Sequence, residues 1–340
     1  VTAFPPLVQS LGATTVIGGA FSPPSTSTGR RPSTLGGRAR LGGRRALRSG
    51  SMAGSAIAAP PGPGAAGAGA AGAGAAPPWN DAVGGSRAAG PSGDSGARSG
   101  ITRLLIIRHG ETLWNQEGRM QGHLDIALND VGKEQAKEVA RALHQLGLAG
   151  QVDAVVSSDL ARASETADLI VAGACPLARR VIDEGLREMN FGSLTGKKSG
   201  DPEHKAVKQG VLQAWKHGNF SQSFPEGESG ESLLKRGMKS LRAAANLGSC
   251  VLVVGHGGMI RWSAAALKLC DSASVDELFL LPPEEAKVAM AQPEVQELVS
   301  APVRNCCCST VLFDHHTGTF KPVSWYQSLH GDESAKDDTG

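Results

Sequence analysis

Five side chains in this sequence are of types that could together handle an anion: Arg108, His109, Arg162, Glu188 and His256. An arginine beside a histidine suits an anionic group, because the guanidinium forks onto oxyanions. A neutral imidazole nitrogen is also a nucleophile that can attack phosphorus and carry it covalently. Glu188 offers a carboxyl group for proton transfer. Gly110 follows His109, and His256 stands between Gly255 and Gly257. Glycine at such places lets the backbone turn and approach a ligand closely. Two arginines and two histidines around one point make an anion pocket, and one carboxyl group beside it makes an acid/base. Phosphoryl transfer asks for that set: positioning, charge stabilisation of the oxygens and a leaving-group proton. A metal commonly supplies part of the charge. No acidic metal cluster is evident in the sequence, so the basic residues are expected to take its place and no cofactor is expected.

Taken singly, each residue has a plainer reading. A histidine after a strand is more often a hydrogen-bonded structural residue, an arginine early in a helix more often a solvated one, and Glu188 a loop carboxylate. The elements that must position them decide between the two. Leu104 to Ile107 is an aliphatic run of the kind that makes a buried strand, and it stops at Arg108-His109-Gly110. Val251 to Val254 is a second such run and stops at Gly255-His256-Gly257. Ligands of open α/β sheets sit just beyond the carboxyl ends of strands. Two histidines at two strand ends, both beside glycines, are hard to explain as packing.

Between and after these runs the pattern alternates. A polar loop over 116–128 holds Gln121 and Gly122, and Asn129 or Asp130 caps a helix with Val139, Ala142, Leu143 and Leu146 on one stripe. Val152 to Val156 reads as a strand, followed by a helix with Asp159 as N-cap and Arg162 in its first turn, where backbone amides favour an anion. A short strand at Arg180 to Ile182 leads to Glu188, and a helix is expected over Glu203 to His217. Leu234, Met238, Leu241 and Ala245 form another helical stripe, and a helix runs from Met259 to Leu269. Residues 274–304 read as helix and loop broken by Pro282, Pro283, Pro293 and Pro302. Cys307 to Phe313 and Thr319 to Val323 read as a terminal hairpin turning at His315-His316-Thr317-Gly318. Strands alternating with helices imply a layered α/β domain.

The first hundred residues differ in kind. They are rich in Gly, Ala, Ser and Pro, and hold nine arginines, two aspartates and no lysine or glutamate. That is a net +7 in a chain of net +2, which leaves −5 for residues 101–340. Such a segment cannot bury enough apolar surface to offset chain entropy, so a disordered leader over 1–100 is expected. Its Arg-rich, Ser-rich, acid-poor character fits an organelle transit peptide followed by a Gly/Ala/Pro linker. Val1-Thr2-Ala3-Phe4-Pro5-Pro6 favours a plastid address slightly over a mitochondrial one. Val1 is not an initiator methionine, so an upstream start or a processed one is expected. No aromatic residues interleave with the arginines, so nucleic acid is not an expected partner. No apolar run approaches the roughly 20 residues that span a bilayer. The six cysteines show no C-x-x-C spacing, and Cys306-Cys307-Cys308 reads as small strand residues on alternating faces. The catalytic domain is expected over 101–330 and a frayed tail over 331–340.

Over residues 101–330 the chain resembles the histidine phosphatase (phosphoglycerate mutase-like) superfamily. Arg108-His109-Gly110-Glu111-Thr112-Leu113-Trp114-Asn115 resembles its opening motif. Ser157-Ser158-Asp159-Leu160 with Arg162, Ala163, Thr166 and Ala167 resembles its second arginine motif. Leu186, Glu188, Phe191 and Gly192 match the acid/base segment, and Gly255-His256-Gly257 the second histidine. The resemblance implies a three-layer α/β/α sandwich with a mostly parallel central sheet, acting on a small anionic phosphorylated substrate. It implies His109 as the phosphohistidine, with Arg108, Arg162 and His256 clamping the phosphoryl group. It implies Glu188 as proton donor to the leaving oxygen and then activator of water. Asn115, Gln121, Gly122, Gly110 and Gly257 would complete the substrate pocket. The short insert after Glu188, the Gly-Glu-Ser repeats at 227–232 and Gly-His-Gly-Gly-Met-Ile-Arg look like the phosphatase branch. Ser193-Leu194-Thr195-Gly196 with Trp215-Lys216 is similar to the mutases, so a bisphosphoglycerate-dependent mutase is the alternative. An inactive phospho-ligand-binding scaffold is the third reading, and it would be expected to have lost one of the five key residues.

Overall fold

The computed structural model describes residues 100–270 and 275–329. All of them fall in the compact unit Gly74–Gly340, while the other unit, Val1–Ala73, lies outside the described residues. So do the expected leader, its linker and the tail from residue 331.

Six strands form one sheet: β1 (Ile101–Arg108), β2 (Ala154–Ser157), β3 (Arg179–Ile182), β4 (Cys250–Gly255), β5 (Cys307–Asp314) and β6 (Thr319–Ser328), in the spatial order β3-β2-β4-β1-β5-β6. β4 runs parallel to both β1 and β2, and β2 parallel to β3, while β5 and β6 add an antiparallel edge. The side-chain period of two sorts each strand onto two faces. Leu104 and Ile106, Val251 and Val253, Ala154 and Val156 join one core. Leu105 and Ile107, Leu252 and Val254, and Val155 join the other. The near-continuous aliphatic runs in β1 and β4 follow from this burial on both faces.

Helices α2 (Asp130–Gln145) and α3 (Ala161–Ala174) cover the second face through Val139, Leu143, Ala163, Ala167 and Ile170. The first is covered by α4 (Pro202–Lys216), α5 (Gly230–Ala245) and α6 (Gly257–Leu269), through Trp215, Leu234, Leu241, Met259 and Trp262. The expected three layers are present. Trp215 meets Trp262 edge-on at 5.1 Å and Phe224 at 5.6 Å. Such pairs contribute about 0.5–1.5 kcal/mol each beyond area burial, and they pin α4 against α6.

The structure adjusts several expectations. A turn of helix, α1 (Leu113–Gln116), precedes the polar loop and closes in a capping box between Thr112 and Asn115. Asn129, not Asp130, caps α2, accepting from Gly132 N at 2.8 Å. Asp159 does not cap α3. Its carboxylate pairs with Arg187, the amide of the N-cap Leu160 goes to Ser158 Oγ, and the first amide of α3, Ala161 N, goes to Asp125 Oδ1. Residues 276–300 hold three helices: α7 (Asp276–Leu280), α8 (Pro283–Met290) and α9 (Pro293–Ser300). Pro283 and Pro293 start helices here, because a first-turn proline has no amide bond to lose. Cys307 joins one core and Cys306 and Cys308 the other, as alternation requires. Burial raises all three thiols, Cys307 to about 12, so they stay protonated packing groups.

Candidate active site

β1 and β4 end side by side. Arg108 stands opposite Gly255 in the register, and His109 N donates to Gly255 O at 2.9 Å. That pairing brings the His109 and His256 rings to 5.1 Å between centroids, tilted by 57°. Both are almost fully buried. The backbone turns hard after His109: a Cβ at Gly110 would sit 2.4 Å from Gly132 O, so only glycine fits.

His109 Nδ1 lies 2.7 Å from Gly110 O. A carbonyl only accepts, so Nδ1 carries the proton and Nε2 keeps its lone pair. Burial first, then the charges of Arg162 and Arg108, hold this imidazole well below its usual range, against the opposing Gly110 bond. Burial, Arg162 and His109 do the same to His256. Neither His256 nitrogen has a hydrogen-bond partner among the described residues. Two neutral imidazoles with unspent nitrogens thus face one another between two guanidinium groups.

Those guanidinium groups are fixed by carbonyls. Arg162, with no exposed surface, donates from Nη1 to Leu124 O at 2.9 Å and from Nη2 to Gly122 O at 2.8 Å. Gly122 supplies this carbonyl from a left-handed backbone, φ +53°. Burial brings Arg162 down to about 10, partly offset by Glu188, which leaves it charged. Arg108 Nη1 donates to Val303 O at 2.6 Å. Asn305 Nδ2 bonds His109 O at 2.9 Å and Cys306 N bonds Arg108 O at 3.0 Å, so the segment entering β5 straps the end of β1.

Glu188 sits at the N-terminus of α6. Its carboxylate accepts from Met189 N at 2.9 Å, Gly258 N at 3.1 Å and Met259 N at 3.1 Å. A Cβ at Gly258 would lie 2.6 Å from Glu188 Oε1, so this glycine admits the carboxylate to the helix end. The Glu188 main chain is held from outside the cleft. Its carbonyl accepts from Arg236 Nη2 and His123 Nε2, each at 2.7 Å, and Arg236 is ion-paired with Glu228 at 2.6 Å.

Arg108, His109, Asn115, Gln121, Arg162, Glu188 and Gly257 line one cleft. His256 is wholly buried, its ring against that of His109. Gly110 and Gly122 shape the walls through their backbone bonds to Thr166 and Arg162. Gln121 is buried, with Oε1 lacking a partner among the described residues. Asn115 Oδ1 caps α1 through Thr112. Lys197, Lys198 and Lys205 are exposed and outside the cleft, whereas Lys208 is buried and lines it. Arg119 and Arg261 also line it, and neither stands out in the sequence among the other surface arginines. Among the described residues no group of three His, Cys, Asp or Glu side chains could hold a metal ion, and no helix is long and apolar enough to cross a membrane.

Comparison with known proteins decides the family. The model of the histidine phosphatase superfamily (branch 1) matches residues 104–292. The chain belongs to that superfamily. It is 36% identical over 161 residues to phosphoglycerate mutase-like protein 4 of Arabidopsis thaliana, which covers 46% of this chain and 67% of the relative. It is 35% identical over 193 residues to a metal-independent phosphoserine phosphatase of the same plant, covering 55% and 76%. A probable phosphoglycerate mutase GpmB of Erwinia tasmaniensis is 31% identical over 243 residues, 70% of this chain and 97% of that one. Among solved structures, YhfR of Bacillus stearothermophilus superposes with a TM-score of 0.51 at 25% identity, covering 67% of this chain and all of that one. The chain is therefore an enzyme of the histidine phosphatase superfamily, with both phosphatases and mutases among its relatives.

Proposed function

We propose that this enzyme hydrolyses phosphomonoesters of small metabolites through a phosphohistidine on His109, without a metal ion. The observation that carries the reading is the His109 imidazole: Nδ1 is spent on Gly110 O, Nε2 is bare, and the ring is neutral between Arg108 and Arg162. In the first step Nε2 attacks phosphorus, the bond from phosphorus to the leaving oxygen breaks, and Glu188 gives that oxygen its proton. In the second, Glu188 takes a proton from water, the water oxygen attacks the phosphoryl group, and the P–N bond breaks to return neutral His109 and release phosphate. Arg108, Arg162 and a His256 N–H balance charge on the phosphoryl oxygens in both steps. Asn115, Gln121 and the Gly257 backbone contact the substrate around that group.

A pulse of labelled substrate followed by rapid quench should leave acid-labile label on the protein, and none on His109→Ala. Full turnover by His109→Ala would end the proposal. The relatives named as mutases favour a second reading, in which the phosphoryl group returns to product in place of water. Supplying 3-phosphoglycerate separates the two: release of inorganic phosphate supports hydrolysis, and accumulation of 2-phosphoglycerate supports the mutase. Binding without any turnover would revive the inactive scaffold. We also propose a plastid address for the Arg-rich first hundred residues; fused to a fluorescent protein, they should deliver it to plastids, and cytosolic or mitochondrial fluorescence would refute this.

A further inference from the structure

The segment 301–306 is a thin wall with a different space on each side. On one side Val303 borders the catalytic cleft, its carbonyl accepting from Arg108 Nη1 at 2.6 Å, and Ala301 O accepts from Arg261 Nη2 at 3.3 Å. On the other, Ala301, Pro302 and Arg304 border a second cavity of about 520 Å³, which lies between α9, the end of α6 and β6. That volume is in the range of small-molecule sites.

Its floor is apolar and fixed. Leu298 is buried, Trp325 and Tyr326 are half-buried with ring centroids 6.1 Å apart, and the Tyr326 hydroxyl donates to Leu298 O at 3.3 Å. Such rings offer a large contact area together with a polar handle. Tyr326 and Cys306 hold left-handed backbones, φ +52° and +55°. Side chains keep that conformation only where the surroundings enforce it, and it clusters at ligand clamps. Burial raises the Tyr326 hydroxyl and the charge of Arg261 opposes the rise, so the floor lies within reach of a residue that lines the cleft.

The mouth carries both signs. Lys268 stands in the last turn of α6, and Glu294 and Glu297 lie on α9. Helix positions three apart share a face. No hydrogen bond or ion pair among the described residues occupies these three side chains. With Arg304 the mouth has two positive and two negative groups. An entering anion meets two carboxylates, and an entering cation meets Lys268 and Arg304, so a single charge of either sign is opposed. A ligand with both signs satisfies the mouth, and a flat apolar group satisfies the floor.

We propose that this cavity binds a small zwitterion with a flat apolar group, an amino acid of aromatic type, and that its occupancy is felt in the cleft through the 301–306 wall. The ammonium is set against the glutamates of α9, the carboxylate against Lys268, and the ring against Trp325 and Tyr326. The site is separate from the cleft and does not depend on which phosphoryl reaction occurs there.

The test is calorimetric titration of the full chain with L-phenylalanine, L-phenylalaninamide and N-acetyl-L-phenylalanine; the last two keep the ring and one charge each. The amino acid should bind at least about tenfold more tightly than either derivative, the size expected for one charge-assisted contact. Lys268→Met should bring the preference over the amide below about threefold, and Lys268→Arg should preserve it. Glu294→Gln with Glu297→Gln should do the same to the preference over the N-acetyl compound. Equal affinities, no binding of any of the three, or preferences unchanged in these variants overturns the site. Saturating L-phenylalanine should also raise the affinity for inorganic phosphate at least about threefold, because a filled cavity steadies Val303 and with it Arg108. Phosphate should raise the affinity for L-phenylalanine by the same factor. A smaller change, or none, overturns the link to the cleft. Neither titration requires turnover, so failure here and a failed hydrolysis assay remain separate results.

Discussion

Among the described residues two pairs of histidines stand at strand ends, His109 with His256 and His315 with His316, and they have opposite fates. His109 and His256 lie at the carboxyl ends of parallel neighbours β1 and β4, buried, neutral and with nitrogens left unspent. His315 and His316 lie in the turn between the antiparallel strands β5 and β6. There His315 Nε2 is 2.9 Å from Thr102 Oγ1, its ring stands edge-on to Phe313 at 4.9 Å, and His316 is exposed. The first pair keeps bonding capacity for something that is not protein, while in the second the His315 ring helps hold the hairpin to β1 and His316 faces solvent. Sheet direction makes the difference: parallel strands deliver both ends to one rim together with helix N-termini, while a hairpin turn faces solvent.

The sharpest way to break this contrast is to remove one ring from each pair. His109→Ala should lose about 10⁴-fold or more in kcat, as expected for a nucleophile, whereas His315→Ala should leave kcat within about twofold. Comparable losses in the two would erase the distinction. Glu188→Gln should cost about 10²–10⁴-fold in kcat with an ordinary alkyl ester, the usual range for an acid/base group. An aryl ester with an acidic leaving group should be hurt far less in its first step, which a burst experiment reads.

Arg236 sharpens the comparison from behind the site, because it touches the Glu188 main chain and not the cleft. Arg236→Met should lower kcat about tenfold with KM nearly unchanged, and Arg236→Lys should recover part of the loss. A change in KM alone would mean that it does not position the carboxylate. The buried pair should also leave a mark on stability. Both imidazoles are held below the value of about 6.5 that they have when unfolded, so the unfolded chain binds more protons as pH falls past that point. Their contribution is fully present above pH 6.5 and is lost on acidification, by up to about 1.4 kcal/mol per pH unit for each ring. Denaturant titrations at pH 7 and 5 should therefore diverge less in His256→Gln than in the parent; identical shifts would contradict a neutral buried ring. Smallest of all, His315→Ala should cost about 1 kcal/mol of stability, one part-buried hydrogen bond, read as a shift in denaturation midpoint.

Much of this rim is legible in the residues themselves. Leu104 to Ile107 and Val251 to Val254 announce strands buried on both faces, and their abrupt ends at His109 and His256 mark the rim. Arg162 and Glu188 are found through their surrounding motifs. What stays hidden is whatever depends on which face of a helix turns inward. Lys208 looks like its exposed neighbours Lys197, Lys198 and Lys205 until α4 is docked through Trp215. Asn305, the His123 ring and the Arg236–Glu228 pair act through backbone carbonyls distant in sequence, and no local pattern betrays such bonds. Asp159 misleads for the same reason: a good cap by type, it is taken by Arg187, and Asp125 from another loop takes its place.

The sheet order also carries a temporal consequence. β1 and β2 share no ladder; β4 lies between them and comes after both in the chain, starting at Cys250. As the polypeptide leaves the ribosome, His109 and the arginine-bearing helix therefore have nothing to align against until the strand ahead of His256 emerges and slots in, and β1's remaining edge stays open until β5 arrives. The enzyme cannot be assembled piecemeal from its amino end. The His109 imidazole acquires its surroundings only after β4 and β5 have emerged.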